Sequence, residues 1–174
     1  MPGHRLNINR LFTFFCVLLM ICAVVLPTQA DIVNFKELLP FVDIKIPGWA
    51  MVGKPCGTTL KQGKVMVSEA RVSFRSGDMS LEVIIMDFLG KPIPFLAEQK
   101  MEVESSAETL RTTEMQGFKA MEAYRQQDKQ GELNISVADR FWVKLDGEGI
   151  DNLEALKTAA QQMDLKRLAD LARR

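Results

Sequence analysis

Residues 132–146 alternate so strictly that they admit little but β-structure: Leu133, Ile135, Val137, Phe141, Val143 and Leu145 share one parity. Period two sends those side chains to one face of a sheet and their neighbours to the other. Asp139 has the same parity, and an unpaired carboxylate in the core would cost roughly several kcal/mol. A tight turn at Ala138-Asp139 removes the conflict, because aspartate suits turns. The run then reads as the two strands of a hairpin.

The pattern recurs upstream. Residues 65–76 set Met66, Ala70, Val72 and Phe74 against Glu69, Arg71, Ser73 and Arg75, as in a half-buried strand. After a turn at Ser76-Gly77-Asp78, Met79 to Phe88 is apolar on both faces, with Leu81, Val83 and Ile85 opposed to Ile84, Met86 and Phe88. That predicts a central strand covered from both sides, at least at one end. Residues 110–115 and 119–127 predict two more strands hinged at Gly117, followed by a turn at 128–131. Asp43 to Val52 predicts an extended segment, where Pro47 marks an edge strand or a bulge. Residues 53–64, with Gly53, Pro55, Gly57 and Gly63, predict a loop.

Helices are expected in four places. Residues 32–41 form one, ending near Pro40, and 95–107 another, on the propensity of Glu, Met, Gln and Lys. A third starts at Asp151 with Glu154 in a capping box and carries Leu153, Leu156, Ala160 and Met163. Asp164 caps the last, which holds Leu165, Leu168 and Leu171, with Arg167, Arg173 and Arg174 suiting its C-terminal dipole. Strands joined by short turns give an antiparallel sheet with helices packed on it, an α+β fold.

Ahead of this domain stands an apolar block, residues 11–26, after Arg5 and Arg10 and before Pro27-Thr28-Gln29-Ala30. A basic start, an apolar stretch and a small-residue exit make a secretory signal. The block is short for a membrane span, which needs about 20 apolar residues. Cleavage is expected after Ala30, giving a signal peptide 1–30 and a single domain 31–174 located in the periplasm or secreted. Phe15 before Cys16 and Ile21 before Cys22 are too bulky for a lipoprotein signal. An uncleaved inner-membrane anchor is the alternative.

Removing the signal subtracts chemistry. The chain has 22 basic and 22 acidic residues, one histidine and three cysteines. Arg5, Arg10, His4, Cys16 and Cys22 all fall within 1–30, so the domain is slightly acidic and keeps only Cys56. Nucleophilic sites that need an imidazole, and zinc sites built from His and Cys, are excluded from it. An internal disulfide is excluded as well. Near-neutral charge without basic runs argues against nucleic acid. No cofactor or metal is expected.

Four residues are candidates for binding: Arg71 and Arg75 as receivers of an anionic partner, Trp49 as a stacking surface, and Cys56 as an exposed thiol. Each has a plainer reading as a solvated strand face, a core residue or a tolerated cysteine. Asp87 and Asp139 are the carboxylates embedded in apolar strand patterns, where a raised pKa could serve hydrolysis. Asp146-Gly147-Glu148-Gly149-Ile150-Asp151 has a superficial likeness to a calcium loop. It lacks the glycine and the bidentate glutamate such a loop needs.

Ile46-Pro47-Gly48-Trp49, the strand Leu81 to Ile85, Gly117-Phe118-Lys119-Ala120, and Arg140-Phe141-Trp142-Val143 before a terminal helix stand in a suggestive order. In these the chain resembles the PsbP-like superfamily, which takes in Mog-type Ran-binding proteins and the bacterial envelope protein DcrB. The resemblance implies an α/β/α sandwich around an antiparallel sheet, used for binding or assembly rather than catalysis, and it carries over no catalytic residue. The expectation is an exported, non-catalytic envelope module that binds an envelope protein or small ligand. Two alternatives stay open: a carboxylate-dependent hydrolase and an inner-membrane-tethered protein.

Overall fold

The computed structural model describes residues 31–63, 65–89 and 101–173. The expected signal peptide 1–30, the 95–100 half of the expected second helix, and Arg174 lie outside the described residues. In chain order the elements are α1 (Phe35–Val42), β1 (Ala50–Gln62), β2 (Val65–Ser76), β3 (Met79–Asp87), β4 (Glu102–Glu104) and β5 (Glu108–Met115). There follow β6 (Phe118–Arg125), β7 (Gln130–Val137), β8 (Phe141–Glu148), α2 (Glu154–Gln162) and α3 (Leu165–Leu171). All eight strands join one antiparallel sheet in the order β1-β2-β3-β8-β7-β6-β5-β4. Two meanders, β1 to β3 and β4 to β8, therefore meet along the β3–β8 seam.

The register explains the core. Val72, Val83, Leu145, Leu133 and Glu122 are cross-strand partners in one row, and Ala70, Ile85, Val143, Ile135 and Ala120 form the next. Both rows face the helices, and the apolar members are almost fully buried. Leu38, Phe41 and Val42 of α1, Leu156, Ala159 and Ala160 of α2, and Leu165 and Leu168 of α3 complete the cluster. Among the described residues no helix packs on the opposite face. The architecture is thus a mixed α/β fold with three short helices on one side of the sheet.

The turn at Ala138-Asp139 is as the alternation requires: both residues have positive φ, 53° and 51°, and Asp139 is exposed. Such a two-residue connection matches the twist of the flanking strands. Asp164 caps α3, its Oδ1 accepting from the Arg167 backbone N–H at 3.0 Å.

Several expectations need correction. Residues 53–64 are not a loop, because β1 runs through most of them, with Cys56 to Gln62 in continuous register against Arg71 to Val65. An edge strand has few buried side chains, so no alternation of hydrophobicity announces it. The segment before it, 43–49, is irregular, and the bulge lies between Val52 and Cys56, at Gly53 and Pro55 rather than at Pro47. In the described part of 95–107 there is strand, not helix: Glu102, Val103 and Glu104 pair with Arg111, Leu110 and Thr109. Cross-strand pairing overrides a weak helix propensity there. Helix α1 continues past Pro40, whose fixed φ suits a helix, because burial of Phe41 and Val42 holds the last turn. The Asp151–Glu154 capping box does not form. Asn152 Oδ1 accepts from the Glu154 N–H at 2.9 Å, and Asp151 instead meets Lys129 Nζ at 2.8 Å.

Polar ties hold the helices to the sheet. The Phe35 N–H donates to Thr59 Oγ1 at 2.9 Å, and Gly57 leaves room for the Phe35 ring against β1. Gln116, in the β5–β6 turn, donates from Nε2 to the Ala160 and Met163 carbonyls, both at 2.8 Å. Those carbonyls lie at the C-terminal end of α2, where helix carbonyls lack their i+4 donors; the Ala160 carbonyl also accepts from the Met163 N–H at 3.2 Å. Tyr124 donates its hydroxyl to the Ile150 carbonyl at 3.0 Å.

Candidate functional site

The face away from the helices is ordered in three charged or polar rows set by the register. The middle row runs Ser73, Glu82, Asp146, Glu132. On one side lies Arg75, Ser80, Glu148, Gln130, Arg125, and on the other Arg71, Ile84, Lys144, Asn134. Three carboxylates directly opposite one another on adjacent strands repel. Each is partly offset by a flanking cation. Lys144 Nζ stands 2.8 Å from Asp146 Oδ2 and Arg125 Nη2 3.1 Å from Glu132 Oε1, while Arg71 Nη1 is 4.0 Å from Glu82 Oε1.

Glu82, Asp146, Glu132 and Glu148 line a shallow depression of about 430 Å³ whose polar walls also include Ser73, Ser80, Gln130 and Arg125. Burial pushes the Asp146 carboxyl above its ordinary value, the Lys144 contacts pull it down, and Glu132 and Glu148 push it further up. The sheet thus holds a carboxylate row that is only partly neutralised from within, open to an approaching cation. Among the described residues, no group of acids, histidines or cysteines is placed to hold a metal ion.

The residues singled out from the sequence fall in different places. Arg71 and Arg75 are on this open face; Arg71 pairs with Glu69 beside it, so it serves the sheet's own charge balance. Cys56 is a free, exposed thiol on β1, opposite Arg71. Trp49 is half-buried and packs against the core. Trp142 lies on the open face, its indole N–H donating to Asn134 Oδ1 at 3.0 Å. Asp87 is completely buried and ion-paired with Arg140, whereas Asp139 is exposed in its turn. The acids of 146–151 separate: Asp146 and Glu148 stay in β8, Gly149 turns the chain at φ 70°, and Asp151 pairs with Lys129.

Three features escape sequence reasoning. The Glu82–Asp146–Glu132 row exists only once β3, β8 and β7 are neighbours in that register. Arg140 follows a turn and lies off the apolar parity of 133–145, so no local period marks it as buried, yet it is 7% exposed. Glu122 is 3% exposed on the helix face, between Arg111 and Lys157, and the Lys157 Nζ is 3.3 Å from its Oε2. Polar residues at core parity were the available signal for Glu122 and Asp87.

No protein-family model, curated protein or solved structure matches this chain.

Proposed function

We propose that the chain is an exported, non-catalytic binding or assembly module of the bacterial envelope, and that its open sheet face receives a cationic ligand or partner segment. The carboxylate row Glu82–Asp146–Glu132 carries this reading. Its members repel across three central strands and sit in a depression, so a bound cation relieves a strain that the fold alone leaves in place. Export rests on the apolar block 11–26 with its basic start and small-residue exit. The PsbP-like resemblance is consistent with the antiparallel sheet and the late strand leading into terminal helices. Its sandwich calls for helices on both faces, and the described ones lie on one.

Two measurements test the reading. Intact-mass analysis of the protein recovered from the envelope fraction should give a chain beginning at Asp31; a membrane-bound chain beginning at Met1 would favour the tethered alternative. Thermal-shift titration with spermine and with pentalysine should raise the melting temperature. The variant Glu82→Gln/Asp146→Asn/Glu132→Gln should abolish that rise. An equal rise in the variant would remove the open face from the proposal.

A further inference from the structure

We infer that copies of this chain associate edge to edge, β4 of one molecule adding as a strand to β1 of the next. The inference is independent of the open-face depression and starts from the exposed apolar side chains. Val52, Leu60, Val65, Met101 and Val103 are each 48–53% exposed. The register puts all of them on the open face: Val52 opposite Ser73, Leu60 opposite Val67, Val65 opposite Gln62 and Val103 opposite Leu110, with Met101 bonded through its carbonyl to the Thr112 N–H. They form two strips, one along each edge of the sheet.

An edge strand with alternating exposed apolar residues is a template for further pairing unless something blunts it. The first half of β1 is blunted by the bulge that contains Lys54 and Pro55. The second half, Cys56 to Gln62, keeps regular register with β2, and among the described residues no strand pairs on its outer side.

Charge selects the occupant. β1 carries Lys54 and Lys61 and no acid, whereas β4 carries Glu102 and Glu104 and no base. Asp31 lies 2.9 Å from Lys61, and the edge remains net positive through Lys54. Pairing β1 with a second β1 brings lysines together, and pairing β4 with β4 brings glutamates together. Only β1 with β4 joins opposite signs.

Strand direction permits that pairing. Eight strands, each antiparallel to its neighbour, leave β1 and β4 running in opposite directions. A second copy displaced sideways, without turning over, therefore lays its β4 antiparallel to β1 with both open faces on one side. Val103 and Met101 of that copy then come beside the Leu60 strip. Such a head-to-tail contact leaves a free edge at each end, so association proceeds beyond two copies. Because β4 is three residues long, each contact is small and reversible.

Sedimentation velocity of the exported protein over a concentration series should show a ladder of species larger than a dimer, shrinking at about 1 M salt, where the Debye length is about 3 Å. Lys54→Glu/Lys61→Glu and Glu102→Lys/Glu104→Lys should each lower the apparent association constant about tenfold or more, and the four changes together should restore it. Leu60→Ser supplies a second measurement that leaves the charges unchanged, and it should also weaken association. A monomer at every concentration, a species that stops at a dimer, or association unchanged by Glu102→Lys/Glu104→Lys would overturn the inference. None of these residues lines the depression, so cation binding there succeeds or fails separately.

Discussion

Arg140 and Asp87, 53 residues apart in the chain, form a buried ion pair with Nη2 2.8 Å from Oδ2. Asp87 also accepts from the Val33 and Leu89 backbone N–H groups, at 2.8 and 2.9 Å. Arg140 donates in turn to the Asp31 carbonyl at 2.6 Å. One pair thereby fastens the segment entering α1 to the ends of β3 and β8. Each partner satisfies the other's charge, and two backbone donors use the remaining acceptor capacity of the carboxylate.

Removing one member leaves the other charge buried. Asp87→Ala is therefore expected to cost about 3–5 kcal/mol in urea unfolding, with a comparable loss for Arg140→Met. The double variant should lose clearly less than the sum of the two, since the coupling is broken only once. Additive losses would show that the pair does not act as a unit.

Gly57 and Gly131 both sit in strands with helix-face neighbours, but they differ in what a methyl would meet. At Gly57 a Cβ runs into the Glu69 backbone carbonyl of the adjacent strand, whereas at Gly131 it meets the ends of the Leu153 and Ile150 side chains. Side-chain ends can shift; a paired strand cannot without loss of register. Gly57→Ala should cost about 1–3 kcal/mol or more and Gly131→Ala distinctly less. Thermal unfolding of the two variants side by side checks the order.

Gln116→Ala removes the donor to the last carbonyls of α2. The expected cost is about 1–2 kcal/mol, with amide exchange in α2 rising more than in β2 or β3. An equal rise throughout the domain would place the effect on global stability instead.

The raised Asp146 carboxyl makes stability depend on pH in a stated direction. Its folded pKa lies above the ordinary value of 3.8, so the folded chain holds this proton more readily than the unfolded one. The contribution is fully present below that ordinary value and is lost as pH rises through the folded pKa. Asp146→Asn, a mimic of the neutral form, should accordingly be more stable than the parent at neutral pH, and the advantage should vanish in acid. Lys144, left without its partner, is 26% exposed and can rehydrate. Urea midpoints measured from neutral pH down to about pH 3 test the sign.

Alternation determined β2, β7, β8 and the Ala138-Asp139 turn, because a half-buried strand must write its two faces into the chain, while β3 was legible as a run apolar on both faces and β5 and β6 as segments hinged at Gly117. The elements it missed, β1 and β4, are the edges. Their side chains are mostly exposed, so no hydrophobic period records them, and hydrogen bonding to β2 and β5 makes them strands. The candidate site divides in the same way. Arg71 and Arg75 were legible as a charged strand face. The row of Glu82, Asp146 and Glu132 was not, because its members are far apart in sequence and belong to three strands. Which strand neighbours which, and in what register, is decided by long-range pairing, and only the tertiary structure brings those carboxylates, or Asp87 and Arg140, into contact.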